Sequence, residues 1–232
     1  MTVLETASDL TSRLESLHAA APRWVALRAG AKAELLRRVR DGVYAEAATW
    51  AAAASQAKGL TGTPLEGEEW LSGPSALLYA LNRYIATMEQ IATRGVPQIA
   101  ASRRHRRPDG QLVVDVFPND LYDRILLSGV RAEVWMQPGV TADSLEESMA
   151  VWYKQQSPQP RVALVLGAGN IASIPPLDVL YKLLADGAVC ILKMNPVNAY
   201  LGPIFERAFK PLIDENYVSI VYGGADVGKA LC

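Results

Sequence analysis

The stretch from Arg161 to Val197, RVALVLGAGNIASIPPLDVLYKLLADGAVCILKMNPV, constrains the fold of this chain more than any other. Val162 to Leu166 is an apolar run without polar alternation, the pattern of a strand covered on both faces. Gly167 and Gly169 interrupt it. Pro175-Pro176 then fits a first helical turn, where a missing N–H costs little. Leu177, Leu180, Tyr181 and Leu184 recur at helical spacing until Asp186-Gly187, a stop that tolerates a left-handed backbone. Ala188 to Leu192 is a second apolar run, ended by Lys193 and Pro196. The pattern is a βαβ unit whose first loop faces the carboxyl ends of its strands, where open α/β sheets bind ligands.

The loop Gly167-Ala168-Gly169-Asn170-Ile171-Ala172 matches G-x-G-x-x-A, a variant of the dinucleotide fingerprint. That fingerprint works when the helix begins inside it and pyrophosphate rests on free N–H groups. Pro175 and Pro176 predict a later start. The fingerprint also expects an acid at the end of the second strand to hold the ribose hydroxyls, and this sequence places Lys193 there. A nonstandard cofactor pose fits these residues better than the ordinary Rossmann one.

At these residues the chain resembles the aldehyde dehydrogenase superfamily, including its acyl-CoA-reducing relatives. The strand and turn ending in Asn170, the helix, and the strand ending in Lys193 follow that family's order, and the 23 positions from Asn170 to Lys193 match its usual spacing. The resemblance implies that the Asn170 amide helps form an oxyanion hole and that Lys193 binds the adenosine ribose of NAD or NADP. It places Gly167, Ala168 and Gly169 in the cofactor loop. Gly223 to Gly228 resembles the family's loop and helix start beside the adenine, with Gly224 and Gly228 as contact positions. Two motifs depart from the family. Its turn usually reads Pro-Trp-Asn-(Phe/Tyr)-Pro and its strand ends Lys-Pro-x-Glu, whereas here Lys193-Met194-Asn195-Pro196 lacks the Glu. Asn195 is assigned part of that role, and the choice between NAD and NADP stays open.

Composition excludes several classes. The chain has 232 residues, 50% of them apolar, with a net charge of −1, which gives no electrostatic reason to expect nucleic acid or a membrane. Two cysteines argue for a reducing compartment rather than a disulfide framework. The amino terminus lacks the basic-then-apolar form of a leader, and no apolar run reaches spanning length. A cytoplasmic protein is expected.

Leu10, Leu14 and Leu17 mark a first helix after cap residues between Thr6 and Asp9. Pro22 is read as starting a second, running from Trp24 through Trp50, with Arg28, Lys32, Arg37, Arg38 and Arg40 on a solvated face. Lys58 to Gly67 is a loop, and Pro74 to Thr93 a further helix. Strands are predicted at 111–117 and 130–136. Arg103 to Arg107 is read as a solvated loop before the turn Pro108-Asp109-Gly110. A helix is predicted over 140–156, capped by Thr141 or Asp143, then a boundary at Ser157 to Pro160. A helix at 201–214 and a strand at 217–222 follow the βαβ unit.

The predicted class is α/β: amino-terminal helices and a small antiparallel strand pair, followed by an incomplete Rossmann-like parallel sheet. The expected organisation is a helical segment at 1–95, a strand pair and helix at 96–160, and the first half of a nucleotide-binding domain at 161–232. In the resembled family the middle element reaches a neighbouring subunit, which implies a homo-oligomer. The family's nucleophilic Cys and general-base Glu lie downstream of anything matched here. Cys190 sits in an apolar strand, Cys232 matches no nucleophile motif, and neither His18 nor His105 has an evident partner. The expectation is a shortened, inactive chain whose complete form acts on a small aldehyde or acyl substrate. Two other readings remain: a noncatalytic nucleotide-binding or assembly module, and an ordinary Rossmann protein of another family.

Overall fold

The computed structural model describes residues 6–232; residues 1–5, part of the amino-terminal stretch read above for a leader, lie outside the described residues. Helix α1 (Ala7–Ala26) starts at a capping box in which Thr6 and Asp9 bond reciprocally. It runs through Pro22, so the predicted break at that proline is wrong. The chain turns instead at Leu27 and Arg28, both extended, and α2 (Ala29–Ala57) follows. An interior proline costs roughly 3 kcal/mol. Burial of Ala20, Ala21 and Trp24 holds that turn in place, with the Trp24 indole N–H donating to Leu183 O at 2.9 Å.

Helix α2 buries Ala33, Leu36, Val39, Val43 and Trp50. After a loop come α3 (Glu66–Trp70), one wide helical turn at Leu71–Ser75, and α4 (Ala76–Arg94), which packs along α2. Lys32, read as solvated, is fully buried. Its position falls on the stripe of Ala29, Leu36 and Val39, and tertiary packing overrides the charge.

The strand pair is a three-stranded antiparallel sheet in the order β1 (Arg104–Arg106), β2 (Leu112–Phe117), β3 (Ala132–Trp135). The basic cluster therefore forms a strand rather than a solvated loop. Its arginines are engaged locally: Arg103 donates to the carbonyls of Asp115, Pro118 and Asn119, and Arg104 to Ile99 O. A short helix not foreseen, α5 (Leu121–Leu126), lies between β2 and β3. The helix predicted over 140–156 is only α6 (Ala142–Ser148), begun by a Thr141 capping box. Ala150 takes a left-handed backbone (φ 51°) and a 3₁₀ turn at Val151–Lys154 replaces the rest, which carries Trp152 to the Lys32 ammonium.

The βαβ unit forms as read: β4 (Val162–Leu166), α7 (Ile174–Leu184), β5 (Val189–Lys193). A 3₁₀ turn, α8 (Gly202–Ala208), α9 (Lys210–Ile213), β6 (Val218–Val221) and α10 (Ala225–Leu231) complete the described chain. The helix expected at 201–214 is thus two pieces. The strands are parallel in the order β4-β5-β6. Leu192, Val218 and Ile220 pack on Pro176, Val179, Phe205 and Phe209 from α7 through the turn after α8. On the opposite face lies α1, whose Arg13 reaches Ser219 Oγ at 3.2 Å. The amino-terminal helices and this sheet share one hydrophobic core, whereas β1–β3 has a small one of Leu112, Val114 and Leu145. The α/β class holds. No helix among the described residues is long and apolar enough to cross a membrane.

Candidate functional site

Strands β4 and β5 run in register from Val162↔Val189 to Leu166↔Lys193, so their two carboxyl-terminal loops leave side by side. The Gly167 N–H donates to Lys193 O at 2.9 Å, adding one step to the ladder. A Cβ at Gly167 would lie 3.1 Å from Lys193 O and 3.3 Å from Asn195 N. A Cβ at Gly169 would lie 3.0 Å from Asn195 Nδ2. The glycines thus sit where two loops meet, and a side chain at either would crowd its neighbour by a few tenths of an ångström. Asn195 Oδ1 accepts from Val197 N at 3.0 Å, capping the turn Pro196–Leu201. Asn198, which the sequence reading missed, is buried and donates from Nδ2 to Ala168 O at 3.1 Å. Its one signal was a second Asn a single 3₁₀ turn beyond Asn195.

Lys193 is 7% exposed, and its ammonium has no hydrogen bond or ion pair among the described residues. Cys190 and Leu192 contact α7, so strand alternation turns Lys193 toward the α1 face. Asn170 follows Gly169 in an exposed bend. Helix α7 begins only at Ile174, with Pro175 and Pro176 next. The late start agrees with the proline pattern. The two prolines leave two positions of the first turn without an N–H, which disfavours the pyrophosphate pose of the ordinary fingerprint.

Gly224 is the N-cap of α10, and a Cβ at Gly228 would be 4.0 Å from Leu166 Cδ2, so this helix lies across the end of β4. The stringent glycine is Gly223: its φ is 141°, and a Cβ would strike Val227 Cγ2 at 2.3 Å. The structure therefore gathers Gly167, Ala168, Gly169, Lys193 and Asn195 into one contact. Asn170, Gly224 and Gly228 lie at the same end of the sheet.

The two thiols differ in their surroundings. Cys190 is fully buried with Sγ 3.8 Å from Val179 O, and burial pushes its thiol pKa up to about 12. Cys232 is exposed. His18 is exposed on α1, but His105 faces Asp115 and Glu133, correcting the reading that it lacks partners.

No protein-family model matches the sequence, and no curated protein matches it. Among solved structures, the NAD complex of a protein assigned as a methylmalonate-semialdehyde dehydrogenase from Sinorhizobium meliloti 1021 superposes with a TM-score of 0.56 at 12% identity. The two chains share a fold over this region. The match covers 98% of this chain and 36% of that one, so the chain spans about a third of that protein's length. At this identity the likeness concerns the fold and not the chemistry.

Proposed function

We propose that the chain is the amino-terminal, cofactor-binding part of an NAD(P)-dependent aldehyde dehydrogenase-like oxidoreductase. The observation that carries this reading is the junction of the two strand-end loops. It sets Lys193, 7% exposed as a residue and with an ammonium unpaired among the described residues, at the carboxyl edge of the parallel sheet. Such a cation donates to ribose hydroxyls or meets a 2′-phosphate, so NAD and NADP both fit. Asn195, its Oδ1 taken by Val197, keeps amide N–H groups for the same sugar. Gly224 and Gly228 allow α10 to approach the adenine. Nicotinamide dinucleotide, when bound, supplies hydride chemistry.

In the complete protein the Asn170 amide donates to the oxyanion of a small aldehyde or acyl substrate, a role contributing roughly 3–4 kcal/mol where such donors are removed. The thiohemiacetal forms on a Cys other than Cys190 and Cys232, and residues 96–160 serve homo-oligomerisation. This chain alone is expected to form no NADH from aldehydes; the thiol in its sheet, Cys190, is fully buried. Titrating NAD and NADP against the wild type and Lys193→Met tests the reading. Affinity for the preferred dinucleotide is expected to fall about tenfold or more in the variant, the loss of a charge-assisted contact. Equal affinities would overturn it.

A further inference from the structure

The small antiparallel sheet brings three side chains to one point, one from each strand: His105 on β1, Asp115 on β2 and Glu133 on β3. The register places Asp115 directly opposite Glu133. Like charges facing each other across antiparallel strands repel. The imidazole stands between them, with Nδ1 3.9 Å from Asp115 Oδ1 and Nε2 3.9 Å from Glu133 Oε1. Those distances are too long for hydrogen bonds. One donor atom from each residue lies within 4.8 Å of the other two. Bonds of about 2.0–2.2 Å to a shared ion need donors only somewhat closer than this, within reach of small side-chain rotations.

The surroundings leave these donors available. No hydrogen bond reaches the Asp115 carboxylate among the described residues; Arg103 donates to the Asp115 backbone carbonyl instead. The second oxygen of Glu133, Oε2, accepts from the Trp135 indole N–H at 3.3 Å, an outer contact that orients a ligating carboxylate. Arg107 lies 3.8 Å from the Trp135 ring centroid and 3.7 Å from Asp109, while Arg103, Arg124 and Arg131 line a cleft with Asp115.

We propose that His105, Asp115 and Glu133 form a site for a divalent transition-metal ion of the zinc class, a clip across all three strands. One imidazole with two carboxylates suits zinc, nickel or copper and disfavours the all-oxygen preference of calcium and magnesium. A clip matters here because, among the described residues, the sheet's own hydrophobic cluster is small, built on Leu112, Val114 and Leu145.

The test is calorimetric titration of chelator-treated protein with zinc chloride near neutral pH, in a Cys232→Ser background that removes the exposed thiol. One equivalent is expected to bind with a micromolar dissociation constant, raising the thermal midpoint. His105→Ala and Glu133→Gln should each weaken binding about tenfold or more, at least what loss of an outer-shell partner of a metal site costs. His18→Ala should leave it unchanged. The three side chains are 37–46% exposed, so these substitutions disturb no core, and circular dichroism verifies each fold. Absence of saturable binding overturns the proposal. So does binding that survives both His105→Ala and Glu133→Gln, or that is lost in His18→Ala.

Discussion

Lys32 is held in the core without a counter-ion. Its Nζ lies 4.0 Å from the ring centroid of Trp152, 4.6 Å from Trp24 and 5.1 Å from Tyr153. The ring faces favour the ammonium, but no oxygen accepts from its three N–H donors. Burial wins, and the amine pKa falls to about 7 from 10.5. Between those values the unfolded chain carries a proton that the folded chain lacks. Stability should therefore rise with pH above about 7, by up to roughly 1.4 kcal/mol per unit. Urea unfolding is expected to show this slope in the wild type and a flatter one in Lys32→Met, with the variant more stable near pH 7. Parallel slopes would mean that the buried amine keeps its proton.

Helix α2 illustrates how packing overrules propensity. Alanine is favoured over glycine inside a helix by about 1 kcal/mol. At Gly42, however, a Cβ would lie 2.6 Å from Ala208 O and 3.1 Å from Ala208 Cα, backbone atoms of α8 that cannot rotate away. Gly42→Ala is expected to destabilise by about 1–3 kcal/mol in chemical denaturation, as overpacking does. At Gly30 the nearest neighbour is Ala92 Cβ at 3.7 Å, so Gly30→Ala should be neutral or stabilising. The same competition governs residues 140–156. Helical spacing of Leu145, Met149 and Trp152 was legible, but Ala150 leaves the helix so that Trp152 covers Lys32. Local periodicity carries no record of that distant amine.

For the whole molecule, the division of the core predicts an order of opening. Residues of α1, α2, α4 and β4–β6 share one continuous core, while β1–β3 rests on a few side chains and β3 is exposed throughout. Native-state hydrogen exchange should show the β1–β3 amides opening at lower free energy than those of β5, every residue of which is buried. Zinc should raise protection in β1–β3 first if the clip forms. Equal protection in both sheets would contradict the division.

The sequence by itself determined the βαβ unit and the late start of α7. These follow from runs and breakers that are local in the chain. Lys193 at the strand end was legible for the same reason. Only the tertiary structure decided that Lys32 is buried, that the arginine cluster is a strand, that Asn198 ties down the Ala168 carbonyl and that His105 faces two carboxylates. In each case the deciding partner is set by packing between elements, and periodicity tells which face an element buries without naming what it meets.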